Sequence, residues 1–298
     1  MRSLREILSD AQNRGVAVGH FNVSDLTMLQ AVPAAARELS VPVLVGASEG
    51  ERAFLGTRQI AALVRALREQ YDCEISLNAD HTHSLAKAEE AVIAGFDSVV
   101  FDLSALPFEA NAQQTKQAVE ALKSRNPSLL VEGEIGDIGS GSEIHDRAPE
   151  LARGLTTPEE ARQFVEFTRV DVLAPAVGNM HGMLASMVGG SARKRLDIDR
   201  IRQIKAATGS FLTLHGASGT DSMDLCRAIG AGINIIHINT ELRVTWRRAL
   251  EDSLSAQARE VVPYKILPQV VESLKQVVRA RLELFNQPQS AAPSELAS

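Results

Sequence analysis

The chain has 298 residues, of which 45% are hydrophobic, 23% charged and only 4% aromatic. That apolar content excludes a disordered chain, and the length suits one large domain or two small ones. A net charge of −6 and the scarcity of rings argue against binding a nucleic-acid backbone or stacking its bases, while leaving room for a local pocket that takes a small anion.

Two cysteines, Cys73 and Cys226, are too few for a disulfide framework, and neither sits in a CxxC pair. Met1 to Arg5 lead directly into an amphipathic helical pattern without a long apolar core, so no signal peptide is expected. No apolar run reaches the roughly 18 residues of a membrane span. The expectation is a cytoplasmic protein, an enzyme or a small-molecule binder, that engages neither nucleic acid nor membrane.

Short apolar, β-branched runs then recur in chain order: Val16–Asn22, Val41–Ala47, Ile75–Asp80, Ser98–Asp102, Leu129–Glu134, Asp171–Ala176, Phe211–His215 and Ile233–Asn239. Between them lie segments with apolar spacings of three and four, such as Leu26–Leu39, Thr57–Gln70 and Leu85–Ala94. Thr157-Pro158-Glu159-Glu160 reads as a helix start, with a Thr cap, Pro in the first turn and carboxylates behind it; Leu196-Asp197-Ile198-Asp199 opens another. Eight strand–helix alternations in roughly 250 residues are the arithmetic of a (β/α)8 barrel, an α/β fold. A doubly wound sheet usually has fewer strands, and no GxGxxG follows the first run. A last helical region is predicted over Val261–Phe285, with Val270, Val271, Leu274, Val277 and Val278 on one face. The tail, 287–298, is predicted to be disordered, which leaves 1–286 as a single catalytic barrel domain.

Polar residues collect at the carboxyl ends of these runs: His20-Phe21-Asn22, Ser48, Asn78-Ala79-Asp80-His81, Glu132-Gly133-Glu134, Gly178-Asn179-Met180-His181-Gly182, His215-Gly216-Ala217-Ser218-Gly219 and His237-Ile238-Asn239-Thr240. That end of a barrel is where active sites are built. His81, His181 and His215 stand at the ends of strands three, six and seven, and three neutral imidazoles with an open fourth position describe a catalytic zinc site. Asp80 precedes one of them and can act as acid or base, or orient a histidine. The turns His181-Gly182 and His215-Gly216-Ala217-Ser218-Gly219 let backbone amides approach an anion, with Ser218 as a further donor, and Asn239-Thr240 adds more from strand eight.

These pieces in this order resemble the class II, metal-dependent ketose-bisphosphate aldolases, the fructose- and tagatose-bisphosphate aldolases, over about Leu4 to Phe285. Phe21-Asn22, Asp80-His81, Glu132-Gly133-Glu134-Ile135-Gly136, Ala176 to Gly182, Leu214 to Ser218 and Asn239-Thr240-Glu241-Leu242 carry the likeness. The resemblance implies a lyase that cleaves a ketose 1,6-bisphosphate, fructose 1,6-bisphosphate first among them, to dihydroxyacetone phosphate and glyceraldehyde 3-phosphate. It implies Zn2+ on His81, His181 and His215, with Glu134 near the metal and a second divalent or a monovalent cation as a further expectation. Asp80 becomes the acid/base, and Gly182, Gly216, Ser218, Asn239 and Thr240 become the phosphate site. Asn22 and Ser48 would touch substrate, and Arg243 would hold the second phosphate. Glu143, in the loop Gly139-Ser140-Gly141-Ser142-Glu143, would be the second acid. The family also implies a homodimer or homotetramer.

Two residues depart from the family. His237 stands where asparagine is common and His20 where a small residue is usual, and in a closed barrel strands one and eight are neighbours, so the two histidines are expected to meet. His83 makes a His-x-His with His81, which admits a rival barrel metallohydrolase, and a non-catalytic sugar-phosphate binder is a third reading. The charge run Ser191-Ala192-Arg193-Lys194-Arg195 is read as a solvated loop.

Overall fold

The computed structural model describes residues 2–139, 141–147 and 154–287. All eight expected runs form strands: Val18–Asn22, Val43–Ala47, Ile75–Thr82, Ser98–Phe101, Leu130–Ile135, Val172–Pro175, Phe211–Leu214 and Ile233–Ile238. Their bounds fall within two residues of the runs, and they close in chain order into a parallel barrel whose first strand pairs with its eighth. Closure fixes the register between those two, Val18 opposite Ile235 and His20 opposite His237.

Helices connect the strands on the outside, where alternate strand residues bury against them. Leu26–Leu39 and Leu85–Ala94 match the apolar spacing at both ends. Capping decides the start of others: the Thr157 side chain accepts the Glu160 amide in a capping box that opens Pro158–Thr168, and Asp197 accepts the Arg200 amide ahead of Ile198–Thr208. The last helix, Pro263–Phe285, buries Ile266, Val270, Leu274, Val278, Leu282 and Phe285, and packs on the helices Leu26–Leu39 and Thr240–Ala256. Val271 and Val277 are only partly buried.

A second apolar cluster lies toward the amino-terminal ends of the strands. There Leu4, Ile7, Leu8 and Ala11 of the first helix, Leu4–Arg14, pack on Val18, Leu44, Leu130, Val172 and Ile235. That helix stoppers the barrel, so the polar chemistry is confined to the other end. Three elements were not expected from the sequence: the helices Glu49–Leu55 and Ala185–Val188, and a two-residue parallel pairing of Ile144–His145 with Met183–Leu184. Of the tail expected to be disordered, 288–298 lies outside the described residues. Among the described residues no helix is long and apolar enough to cross a membrane.

Candidate active site

The third strand does not run straight to its end. Its pairing with the fourth slips between Ala79 and Thr82, and His81 adopts a left-handed backbone with φ +33°, a conformation that costs a non-glycine residue energy. The imidazole Nδ1 then donates to Asp102 Oδ2 at 2.8 Å, which leaves Nε2 as the lone pair facing the barrel axis residues. His215, fully buried, uses the opposite tautomer. Its Nε2 donates to Glu132 Oε1 at 2.7 Å, and Thr213 Oγ1 holds the other Glu132 oxygen at 3.0 Å. His215 Nδ1 is left 2.9 Å from Glu134 Oε2, yet neither atom has an aligned hydrogen-bond partner.

Two buried acceptors that close need a positive charge beside them. His81, Glu134, His181 and His215 each offer one donor atom, all within 4.8 Å of one another, a spread that an ion with bonds of about 2 Å can gather by small side-chain rotations. The residues therefore fit a divalent ion of the zinc type: three imidazoles and a carboxylate, two of the imidazoles already oriented by Asp102 and Glu132. The surrounding carboxylates bias two of these imidazoles toward the protonated form, so an ion bound there would have to displace their protons. Burial opposes charge on His215, but the hydrogen bond with Glu132 and the nearby Glu134 carboxylate hold its pKa well above the usual value. His81 is raised to about 9, burial being outweighed by Asp80 and Asp102. Burial and then Asp102 push the Glu134 carboxyl up. Burial, His81 and His215 hold His181 well below its usual value, the neutral form that ligates.

Asp80 is buried beside this cluster. Asn22 Nδ2 donates to its Oδ2 at 2.8 Å and also to Glu51 Oε2 at 2.8 Å, and Arg243 Nη2 pairs with the other Glu51 oxygen at 2.8 Å. Asp80 Oδ1 lies 3.4 Å from His237 Nδ1 and has no aligned hydrogen bond. Burial raises the Asp80 carboxyl, but His81 and His237 outweigh it and hold the group well below the usual carboxylate range. His20 and His237 do meet: their rings stack with centroids 3.5 Å apart and planes 4° from parallel, and His237 leans on His215 at 4.2 Å. Burial, more than any other influence, lowers both pKa values, so two neutral rings stack without charge repulsion. His20 Nε2 is fixed by Asn78 Oδ1 at 3.0 Å.

The His20 ring has space only because residue 46 has no side chain; a Cβ there would overlap the ring. Gly46→Ala is therefore expected to destabilise the fold by about 1–3 kcal/mol, the usual range for overpacking. Denaturant unfolding of Gly46→Ala, His20→Ala and the double variant tests this, because removing the ring in the double variant should recover most of the loss.

The strand ends enclose a cavity of about 540 Å³. Every expected site residue lines it except Glu134 and His215, which are buried in the histidine cluster, and Glu143. The Glu143 side chain is exposed and its carbonyl takes the Met183 amide at 2.9 Å, while Gly139, Gly141 and Ser142 of its loop face the cavity; Ser140 lies outside the described residues. Ser48 caps the helix Glu49–Leu55 through Glu51. Ser218 Oγ accepts the Glu241 amide at 3.3 Å. Gly216, at φ +60°, lets the strand-seven turn press against the Met180 carbonyl, which any Cβ would strike. His83 lines the cavity but spends Nδ1 on the Asp102 carbonyl oxygen at 2.9 Å, and among the described residues it joins no group able to hold a metal. The charge run is only half solvated: Arg193 and Arg195 are exposed, whereas Lys194 is buried.

Asp102, Glu132 and Glu51 were not singled out from the sequence, although they orient His81, His215 and Asn22. For Asp102 the signal was present, since it closes the fourth apolar run at the same end as the other polar residues. Glu51 gave none, because its role depends on a helix that periodicity does not show.

A closed parallel barrel with imidazoles and carboxylates gathered at its carboxyl-terminal mouth is the architecture of a barrel enzyme, and four of those side chains could hold a metal ion. The family model for class II fructose-bisphosphate aldolase matches residues 2–290, and the chain belongs to that family, whose members are lyases. The fructose-bisphosphate aldolases of Staphylococcus aureus and Staphylococcus epidermidis are each 33% identical over 288 residues, covering 95% of this chain and 96% of theirs. Among solved structures, the YdjI aldolase of Escherichia coli K12 superposes with a TM-score of 0.81 at 27% identity, covering 97% of this chain and 99% of that one.

Proposed function

We propose that this chain is a zinc-dependent aldolase that reversibly cleaves fructose 1,6-bisphosphate to dihydroxyacetone phosphate and glyceraldehyde 3-phosphate. The observation that carries the metal part is the unbonded pair His215 Nδ1 and Glu134 Oε2, 2.9 Å apart and buried, with His81 and His181 around it. A Zn2+ ion held there would supply the positive charge needed by the enediolate left when the bond between C3 and C4 breaks. Asp80 takes the C4 hydroxyl proton on Oδ1, the oxygen that Asn22 leaves free. The low pKa keeps this group ionised and ready to accept. Amides of the Gly182 and Gly216 turns, with Ser218, Asn239 and Thr240, receive one phosphate, and Arg243, held at the mouth by Glu51, meets the other. Glu143 is the second acid in this reading. The enzyme works as one barrel domain over residues 1–286, in the cytoplasm, as a homodimer or homotetramer.

A second reading, the same lyase acting on tagatose bisphosphate or another ketose phosphate, is favoured by His237. With Nδ1 3.4 Å from Asp80, a neutral imidazole has a single other ring nitrogen to offer, where an asparagine amide offers both a donor and an acceptor. His237→Asn is expected to shift the ratio of kcat/KM between fructose and tagatose bisphosphates by about tenfold, one good hydrogen bond. Unchanged kinetics on both would sink a specificity role.

The test of the whole reading is a panel of ketose mono- and bisphosphates, assayed for triose phosphate release with and without a chelator, together with the metal content. Zinc with water-dependent cleavage would instead indicate a metallohydrolase, and tight binding without turnover a sugar-phosphate binder.

A further inference from the structure

Lys194 sits where a lysine is rarely found. It is 5% exposed, and among the described residues no carboxylate lies within ion-pair range of it. Its ammonium instead donates to three backbone carbonyl oxygens, of Met180 at 2.6 Å, Gly182 at 2.6 Å and Gly216 at 2.8 Å. Those three residues flank His181 and follow His215, so one point charge ties together the two turns that carry metal-type ligands and phosphate-type amides.

Three carbonyls converging on one point are the donor set that proteins use for a bare monovalent cation, replacing its water shell. An ammonium group is a compact charge with three donors, and three carbonyls use all of them. Burial alone draws this lysine down to about 7, but three acceptors call for three N–H donors, which only the charged form has. The backbone is pinned as firmly as the side chain. The Lys194 amide donates to the Gly219 carbonyl at 3.0 Å, and the Lys194 carbonyl accepts the Asp221 amide at 3.2 Å, so the residue is stitched along the strand-seven turn. Glu241, the acidic group that influences it, spends its oxygens on the Gly219 amide and Arg281.

We propose that Lys194 is a positioning residue, a tethered monovalent cation that fills a carbonyl cage behind the phosphate turns and frees the enzyme from any need for dissolved K+ or NH4+. The charge holds the Gly182 and Gly216 turns in the arrangement that aims their amides into the cavity and adds a positive potential behind the bound anion. This rests on the reading that those turns receive a phosphate.

The test compares wild type with Lys194→Met in buffers whose only cation is tetramethylammonium, too large for the cage, and then with added K+ or NH4+. Wild type should change by less than about twofold on addition of either ion. The variant should lose about 100-fold in kcat/KM, chiefly through KM for the sugar phosphate, as expected when buried carbonyls lose their donors. It should regain most of this with saturable dependence on K+ or NH4+. A thermal shift reads the cage without substrate: the two ions should raise the variant's Tm and leave that of wild type unmoved. If wild type cleaves none of the substrate panel, the functional reading fails while the thermal shift still reports on the cage. If Lys194→Met does not fold in tetramethylammonium, refolding in K+ should recover it. A wild type that requires K+ or NH4+, or a variant that neither ion stabilises or refolds, overturns the proposal.

Discussion

Asp80→Asn is expected to lower kcat by about 10²- to 10⁴-fold, the range associated with losing a positioned general acid or base. The substitution is nearly isosteric, so Asn22 can still donate to an oxygen at position 80 and the contact with His81 changes little in shape. What disappears is an oxygen that can hold a proton. Metal content and substrate affinity should stay close to wild type, which separates a chemical loss from a structural one. Steady-state kinetics in the cleavage direction, paired with metal analysis, check this; near-normal kcat would remove Asp80 from the proton path. The Oδ1 atom is central to the expectation, being buried, free of an aligned hydrogen bond and faced by the neutral ring of His237.

Chelation is expected to abolish turnover, by more than about 10³-fold, with recovery on adding Zn2+. A fall in Tm should accompany it. Asp80, Asp102, Glu132 and Glu134 are all buried in one small region, and gathering several negative groups away from water is costly. An ion held by Glu134 and the three histidines would offset part of that cost, and its binding energy would then also be folding energy. Calorimetry of chelated and zinc-loaded protein measures both effects on one sample. Replacing His215 by Ala is the harsher experiment, since it removes the imidazole from beside both buried carboxylates, Glu132 and Glu134, and is expected to cost about 3–5 kcal/mol. Activity that survives complete metal removal would contradict the reading of the site.

The barrel was legible because it is built from repetition. A β-branched run followed by three-and-four spacing, eight times over, has few other solutions, and the first helix and the last could be seen by the same periodicity. The gathering of His81, His181 and His215 was legible because they fall at one end of their strands. The His20–His237 contact followed from adjacency of strands one and eight, and the register places the two residues directly opposite. What stayed hidden depends on side-chain direction and on irregular backbone. Nothing in the pattern shows that Lys194 turns inward between two exposed arginines, because no helix or strand period governs that segment. Glu51 is placed by a seven-residue helix whose start is a capping box rather than an apolar stripe. The space over Gly46 exists only once the second strand lies beside the first.

That space over Gly46 constrains the order in which this site can be altered. From any starting chain with a side chain at position 46, installing histidine at 20 first produces a clash, whereas installing glycine first leaves only a small void. Histidine at 237 can then find a ring to lie against. A library that varies 20, 46 and 237 together should therefore recover the pair only in clones that also carry glycine at 46, and stepwise selection should reach it by one route and miss it by the others.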